Sequence, residues 1–308
     1  MQNCQKTTAE VHKGNTKHAY LIIAHNNLRI LKMLVSALDD PRNDIYIHID
    51  RKVKGVRQWK RELVAKQATL IFTRRIRVNW GGSSQIQAEW ILLEEATKTE
   101  HAYYHLLSGV DMPLRNQDDI HGFLEENQGK EFISISQTSR EGTLIADRIG
   151  QYHFLQNRIG RNHGIHIAVA ERIENILLRL QKRLGIDRLR DCGILYKGEN
   201  WFSITHKMAV YVLRQKRMVK KRFRCSLCAD ELFLQNVAMN SPYAQNITGS
   251  SMRCVDWNRG TPYTFRQEDF DMLCASGMLF ARKFDENVDM QIVEQIYRHI
   301  CSGKDCLV

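Results

Sequence analysis

The chain has 308 residues, 43% of them hydrophobic, with 45 Lys and Arg against 34 Asp and Glu, a formal net charge of +11. With only four prolines this describes a folded globular protein and excludes a disordered one, and the length allows one large core or two modest ones. No apolar run approaches the roughly 20 residues that span a bilayer, and the surplus of cations points to anionic partners: nucleic acid, an acidic lipid surface or a phosphorylated substrate.

Residues 1–16 are polar, lack the apolar middle of a signal peptide, and read as a flexible tail. Residues 17–308 read as one domain, since no linker rich in Pro, Gly or Ser divides them. Ala19 to Ala24 is a short apolar run typical of a strand buried on both faces. Leu28, Leu31, Leu34, Val35 and Leu38 then recur at helical spacing until Asp39-Asp40-Pro41 stops them. Ile45 to Ile49 is the next strand, ending at Asp50, and Thr69 to Thr73 a third. Ser83 or Ser84 caps a helix to about Thr97, with Ile86, Trp90 and Leu93 on one face.

Tyr103 to Leu107 makes a strand that runs into the turn Ser108 to Pro113; Gln117 to Asn127 is a helix and Glu131 to Ile135 a strand. This alternation predicts an α/β fold with a mainly parallel central sheet and flanking helices. In such folds ligands gather where strands end, which nominates His25, Asn26, Asp50 and Asp111 as neighbours on one rim. The second half is more helical. Ile167 to Leu184 is amphipathic, with Ile173, Leu177, Leu180 and Leu184 on one side and Arg172, Arg179, Lys182 and Arg183 around it; it packs on the core or rests on an acidic membrane. Helices over Met208–Met218, Cys228–Met239 and Gln291–Cys301 follow.

Eight scattered cysteines (Cys4, Cys192, Cys225, Cys228, Cys254, Cys274, Cys301 and Cys306) fit a reducing compartment. Cys225 and Cys228 have metal-knuckle spacing, but Cys301 with Cys306 is a poor second half of a zinc site. There is no Walker loop, no dinucleotide glycine fingerprint and no Gly-x-Ser-x-Gly elbow, so none of those chemistries is expected.

Several constellations remain. Ser276 to Asp285 carries Arg282 and Lys283 inside an apolar run, where a cation is costly unless an anion meets it; a planar Arg fork beside a Lys point charge suits a diphosphate. Asp50 can bind a ribose or base but is not half of an Asp-x-Asp pair, and Asp269-Phe-Asp271 has that spacing only at a helix start, where the dipole favours acids. Asp230-Glu231 is either such a helix start or a general base with a second carboxylate beside it. Trp80 and Trp201 each suit a pocket edge or a core cap. The basic run Arg214 to Arg224 lacks the interleaved aromatics of a base-stacking platform.

In order, Ala19 to Asn26, Ile45 to Asp50, Trp80 to Ser83 with Gln87-Ala88, Leu106 to Pro113, Lys197-Gly198 with Trp201, Asp230-Glu231 and Leu279 to Asp285 resemble the core-2/I-branching N-acetylglucosaminyltransferases and protein xylosyltransferases. The resemblance implies a GT-A-like, Rossmann-type nucleotide-sugar transferase that inverts the anomeric centre and needs no metal or other cofactor. It places Ala24, His25, Asn26 and Asp50 in the uridine pocket, makes Glu231 the catalytic base and Lys283 the diphosphate-binding lysine. An assisting arginine falls on Arg266 or Arg259, with Arg282 a further substitute. On the same reading Trp80 joins the donor pocket, while Asp111, Trp201 and Asp230 bind substrate.

The expected partners are a UDP-sugar, N-acetylglucosamine before xylose or another sugar, and a glycan or lipid-linked glycan acceptor in bacterial surface polysaccharide synthesis. The expected location is the cytoplasm, with peripheral contact at the inner face of an acidic plasma membrane. A basic nucleic-acid-binding protein is the alternative from another class; no RNA or DNA motif supports it, and no nucleic acid is expected.

Overall fold

A computed structural model of the chain describes residues 17–139, 143–160, 164–190 and 192–301. The tail read over residues 1–16 lies outside them, as do Cys4 and Cys306. Strand β1 (His18–Ala24) leads to helix α1 (Leu28–Ala37), β2 (Asn43–Ile49) to α2 (Val56–Glu62), and β3 (Thr69–Phe72) to α3 (Ser84–Ala96). Next come β4 (Tyr103–Ser108), β5 (Met112–Pro113), α4 (Gln117–Glu126), β6 (Glu131–Ser134) and β7 (Gln137–Thr138). Helices α5 (Leu144–Ile149), α6 (Gln156–Ile159) and α7 (Ile165–Arg183) precede β8 (Tyr196–Lys197) and β9 (Phe202–Thr205). Then follow α8 (His206–Arg214), α9 (Lys216–Phe223), α10 (Asp230–Met239), β10 (Ile247–Gly249), β11 (Arg253–Val255), α11 (Phe270–Ala275), β12 (Phe280–Arg282) and α12 (Gln291–Cys301).

Seven strands form the central sheet in the order β10-β6-β9-β4-β1-β2-β3. All pairings are parallel except those of β9, which runs against both β4 and β6. The mainly parallel α/β sheet is therefore as expected, and its one reversed strand was not foreseen. The four residues of β9 sit in the middle of the sheet, and so short a run carries little periodic signal.

Period-two alternation sends side chains of one strand to two different cores. Ala19, Leu21 and Ile23 of β1 pack with Trp90 and Leu93 of α3, Val212 of α8 and Phe233 of α10. Tyr20, Ile22 and Ala24 pack on the other face with Leu31 and Leu34 of α1, Ile120 of α4 and Ile296 of α12. A second sheet of three strands, β11-β12-β5, stands beside the rim of the first. The helix expected over Met208–Met218 is instead interrupted at Gln215 and resumes as α9.

Candidate active site

β1, β2 and β4 are parallel and end level with one another: Ala24 faces Ile49, and Ile23 faces Ser108. His25, Asn26, Asp50 and Asp111 consequently follow strand ends on one rim. The Asp50 amide donates to the Ala24 carbonyl (2.8 Å) and the Gly109 amide to that of Ile23 (2.9 Å). Only a glycine fits there, since a Cβ on Gly109 would stand 2.9 Å from the Ala24 Cβ. His25 and Asn26 are open to solvent, whereas Asn27 is buried with its amide nitrogen unpartnered. Packing around the His25 ring lowers its pKa; Asp50 opposes that, and Lys52 and Arg282 reinforce it, so these charges share one neighbourhood. Asp50 is buried, and its carboxylate accepts from the amides of Lys52 (2.8 Å) and Val78 (3.3 Å) with the Lys52 ammonium at 3.4 Å.

The second sheet brings cations to the same rim. β12 pairs with β5 and the Phe284 amide bonds the Val110 carbonyl (3.0 Å), which fixes Arg282 and Lys283 against the turn that carries Asp111. Arg282 Nε lies 3.6 Å from Asp111 Oδ1, and its guanidinium lies 3.9 Å from the centre of the Trp201 ring. Asp111 is fully packed, accepting from the Ser108 amide (2.8 Å) and hydroxyl (2.5 Å). Burial raises its pKa against the pull of Arg282. Behind it Arg253 is buried too, donating to the Ser203 hydroxyl (2.8 Å) and the carbonyls of Phe202 (2.6 Å) and Leu106 (3.2 Å). Lys283 is half-buried and has no carboxylate partner among the described residues.

Glu231 stands in the first turn of α10. Arg148 Nη1 of α5 and Lys197 Nζ of β8 both reach its Oε2, at 2.6 and 3.2 Å, and neither takes Oε1. The Glu231 carbonyl receives the Gly198 amide (3.0 Å). Gly198 crosses β6 so closely that a Cβ would stand 1.8 Å from the Ser134 carbonyl oxygen. The segment from Lys197 to Trp201 thus touches Glu231 at one end and Arg282 at the other.

Beneath it lies a buried polar group: Glu89 of α3, Asn200, and Asp230 and Gln235 of α10, several of whose oxygens have no hydrogen-bond partner. Burial, then the Glu231 charge, pushes Asp230 up to about 7; burial, then Asp230, pushes Glu89 well above the carboxylate range.

The remaining nominees are placed as follows. Trp80 is 44% exposed and does not cap the core; the next residue, Gly81, accepts the Cys228 amide (2.8 Å) and so ties this turn to the approach to α10. The Phe265 amide donates to the Lys283 carbonyl (3.0 Å), so exposed Arg266 follows directly beside Lys283. Arg259 is already engaged by Asp256 (2.6 Å) and Asp269 (2.7 Å). Asp269 serves the turn before α11, accepting the Arg266 amide (2.8 Å). Among the described residues no three His, Cys, Asp or Glu side chains are grouped to hold a metal ion, Cys225 and Cys228 included. Two surface concavities of about 470 and 490 Å³ lie elsewhere and contain none of the nominated residues.

Arg148, Lys197, Glu89 and Arg253 were not nominated for these positions. Glu89 had a signal, because it falls three residues after Ile86 and four before Leu93 on an apolar helix face. Arg148 had none, being one of many arginines in an irregular region.

The rim of this α/β sheet thus joins buried carboxylates to paired cations. The family model described as Core-2/I-Branching enzyme matches residues 18–276, and the chain belongs to that family. The match ends before Arg282 and Lys283. Xylosyltransferase 2 of Rattus norvegicus is 23% identical over 310 positions, covering 92% of this chain and 33% of that protein. Xylosyltransferase sqv-6 of Caenorhabditis briggsae is 24% identical over 298 positions, covering 87% and 34%. The chain therefore spans about a third of the length of the curated relatives it matches. Mouse xyloside xylosyltransferase 1, apo form, aligns over 85% of this chain and 96% of its own at 10% identity, with a TM-score of 0.38, too loose a likeness to carry an argument.

Proposed function

We propose that this chain is an inverting, metal-independent glycosyltransferase of GT-A-like design, moving N-acetylglucosamine from a UDP-sugar to a hydroxyl of a glycan or lipid-linked glycan. The observation that carries the reading is the segment Lys197–Trp201, which has a carboxylate with one uncommitted oxygen at one end and a cationic wall at the other. Glu231 Oε1 accepts the proton of the acceptor hydroxyl while that oxygen bonds the anomeric carbon. The bond from that carbon to the diphosphate breaks on the opposite face, and UDP leaves with the electron pair. Lys283 and Arg282, with Arg266 beside them, meet the charge that grows on the diphosphate, a role a divalent ion fills in other enzymes. His25, Asn26 and Asp50 border the uridine, Trp80 the sugar, and one domain over 17–308 carries the whole site.

Membership of the family supports the transferase reading, and the xylosyltransferase relatives favour xylose as the second donor. A bacterial, cytoplasmic setting at the inner face of the plasma membrane completes the proposal; the scattered placement of the eight cysteines supports a reducing compartment. Polynucleotide binding has less support, because no RNA or DNA motif occurs and two lysines of the basic run are engaged: Lys216 pairs with Glu94, and Lys216 and Lys220 lie 5.2 and 5.8 Å from the Trp90 ring centre.

The test is UDP release from a panel of UDP-sugars, with and without EDTA, by wild type and Glu231→Gln. Release from one donor that survives EDTA and disappears in the mutant is expected. Release lost in EDTA overturns the metal-free mechanism, and full activity in Glu231→Gln removes its base.

A further inference from the structure

Helix α7 carries apolar residues on both of its sides. The side packed against the body holds Ile167, Glu174 and Gln181, all buried, with Leu177 and Leu178 half-buried. Glu174 Oε2 accepts the Leu155 amide (3.0 Å), and Gln181 exchanges hydrogen bonds with the Tyr152 backbone at 2.8 and 2.9 Å. The solvent side carries Ile165, Val169, Ile173, Ile176, Leu180 and Leu184, exposed from 46% at Ile173 to 87% at Ile165. Of the side expected from the sequence, Ile173, Leu180 and Leu184 thus face water, and only Leu177 is half-buried. At about 100° per residue the six exposed side chains fall within an arc of about 100°, along a helix about 28 Å long. So long an apolar face left in water is a docking surface.

The charge pattern selects the occupant. On the same projection Arg172, Arg179 and Arg183 line one edge of the stripe, and none has a carboxylate partner among the described residues. The acidic residues of α7 lie elsewhere: Glu174 faces the body and Glu171 projects away from the stripe. A second copy packing stripe to stripe, in either orientation, would offer no acid of α7 to meet these arginines. A surface of anionic lipid headgroups meets both features, burying the isoleucines and leucines among acyl chains while the arginines stay at the phosphates.

We propose that α7 docks this protein in the plane of an anionic lipid bilayer, without crossing it. The docking stands apart from the transferase chemistry but is coupled to it by position. Residues 152–155, gripped by the inner face of α7, connect through the His153 amide to the Cys225 carbonyl (2.6 Å). The Leu227 amide in turn bonds the Arg148 carbonyl (2.8 Å), and Arg148 holds Glu231.

The experiment is co-sedimentation of the full chain with vesicles of phosphatidylcholine alone and of phosphatidylcholine mixed with phosphatidylglycerol. Two variants accompany wild type: the triple Ile173→Ser, Ile176→Ser, Leu180→Ser, and the double Arg172→Glu, Arg179→Glu. Wild type is expected to bind only the mixed vesicles, more weakly as salt rises, and each variant to bind at least about tenfold less. The double variant carries the test should the triple variant fold poorly. Equal binding to neutral vesicles, no binding to either, or variants that bind as wild type does would overturn the proposal. A lipid-free dimer by sedimentation velocity, dissolved by the triple variant, would assign the stripe to a second copy instead.

Discussion

Arg148 Nη1 stands 2.6 Å from Glu231 Oε2, the oxygen that Lys197 also reaches at 3.2 Å. Two cations on one oxygen orient the carboxylate and leave the other oxygen without an ion-pair partner. Arg148→Ala should free the carboxylate to rotate and lower kcat/KM about a hundredfold, the scale of a misplaced catalytic group. Arg148→Lys should recover part of it. Steady-state kinetics on the accepted donor check both, and wild-type rates in Arg148→Ala would mean the contact does not position the base.

Lys283 is half-buried with no ion pair among the described residues, so its removal breaks no folded-state charge balance. Lys283→Ala should lower turnover about a hundredfold or more through lost stabilisation of the leaving diphosphate, with little change in melting temperature. Parallel rate and melting measurements separate the two effects.

Asp111 is the carboxylate nearest to Arg282, at 3.6 Å, and both side chains are largely buried. Asp111→Asn leaves that guanidinium with only the more distant charge of Glu199 and should cost about 3 kcal/mol. Denaturant unfolding reads the loss directly; a change under about 1 kcal/mol would show that Trp201 and solvent suffice to hold the cation.

Asp230 should make stability fall as pH rises. Its carboxyl is pushed up to about 7 in the folded chain, against about 4 when unfolded. Between those values the folded state holds a proton that the unfolded state has lost, so stability declines across that window and levels off above it. Glu89, raised in the same direction, adds to the slope. Asp230→Asn should flatten the profile and melt higher than wild type at about pH 8, yet resemble it at about pH 4 and below.

At Gly198, an added methyl group would collide with the Ser134 carbonyl, 1.8 Å away. Gly198→Ala should therefore force β6 and the Lys197–Trp201 segment apart, destabilising by about 1–3 kcal/mol and reducing activity further than stability alone accounts for. Gly122→Ala, where a Cβ meets nothing within 4 Å, is the matched control.

The rim residues were legible because strand ends are legible: a largely apolar run of five or six residues closed by a polar one marks both the strand and its exit, as at Ala24-His25 and, past the single His48, at Ile49-Asp50. Lys283 was legible for a different reason, a cation in an apolar run. Short elements were not. β5, β8, β11 and β12 have two or three residues each, far below any period, yet they place Asp111, Lys197 and Arg282.

The amino-acid order by itself determined the α/β class, the parallel core of the sheet and the strand ends that carry His25, Asn26, Asp50 and Asp111, because periodicity is local and repeats within each segment. Only the tertiary structure decided which charges meet. Arg148 and Glu231 are 83 positions apart, Arg282 and Trp201 likewise 81, and nothing in either neighbourhood names the other. It decided also which way α7 faces: a helical stripe shows that one side is apolar, whereas the partners of Glu174 and Gln181 determine which side meets the body.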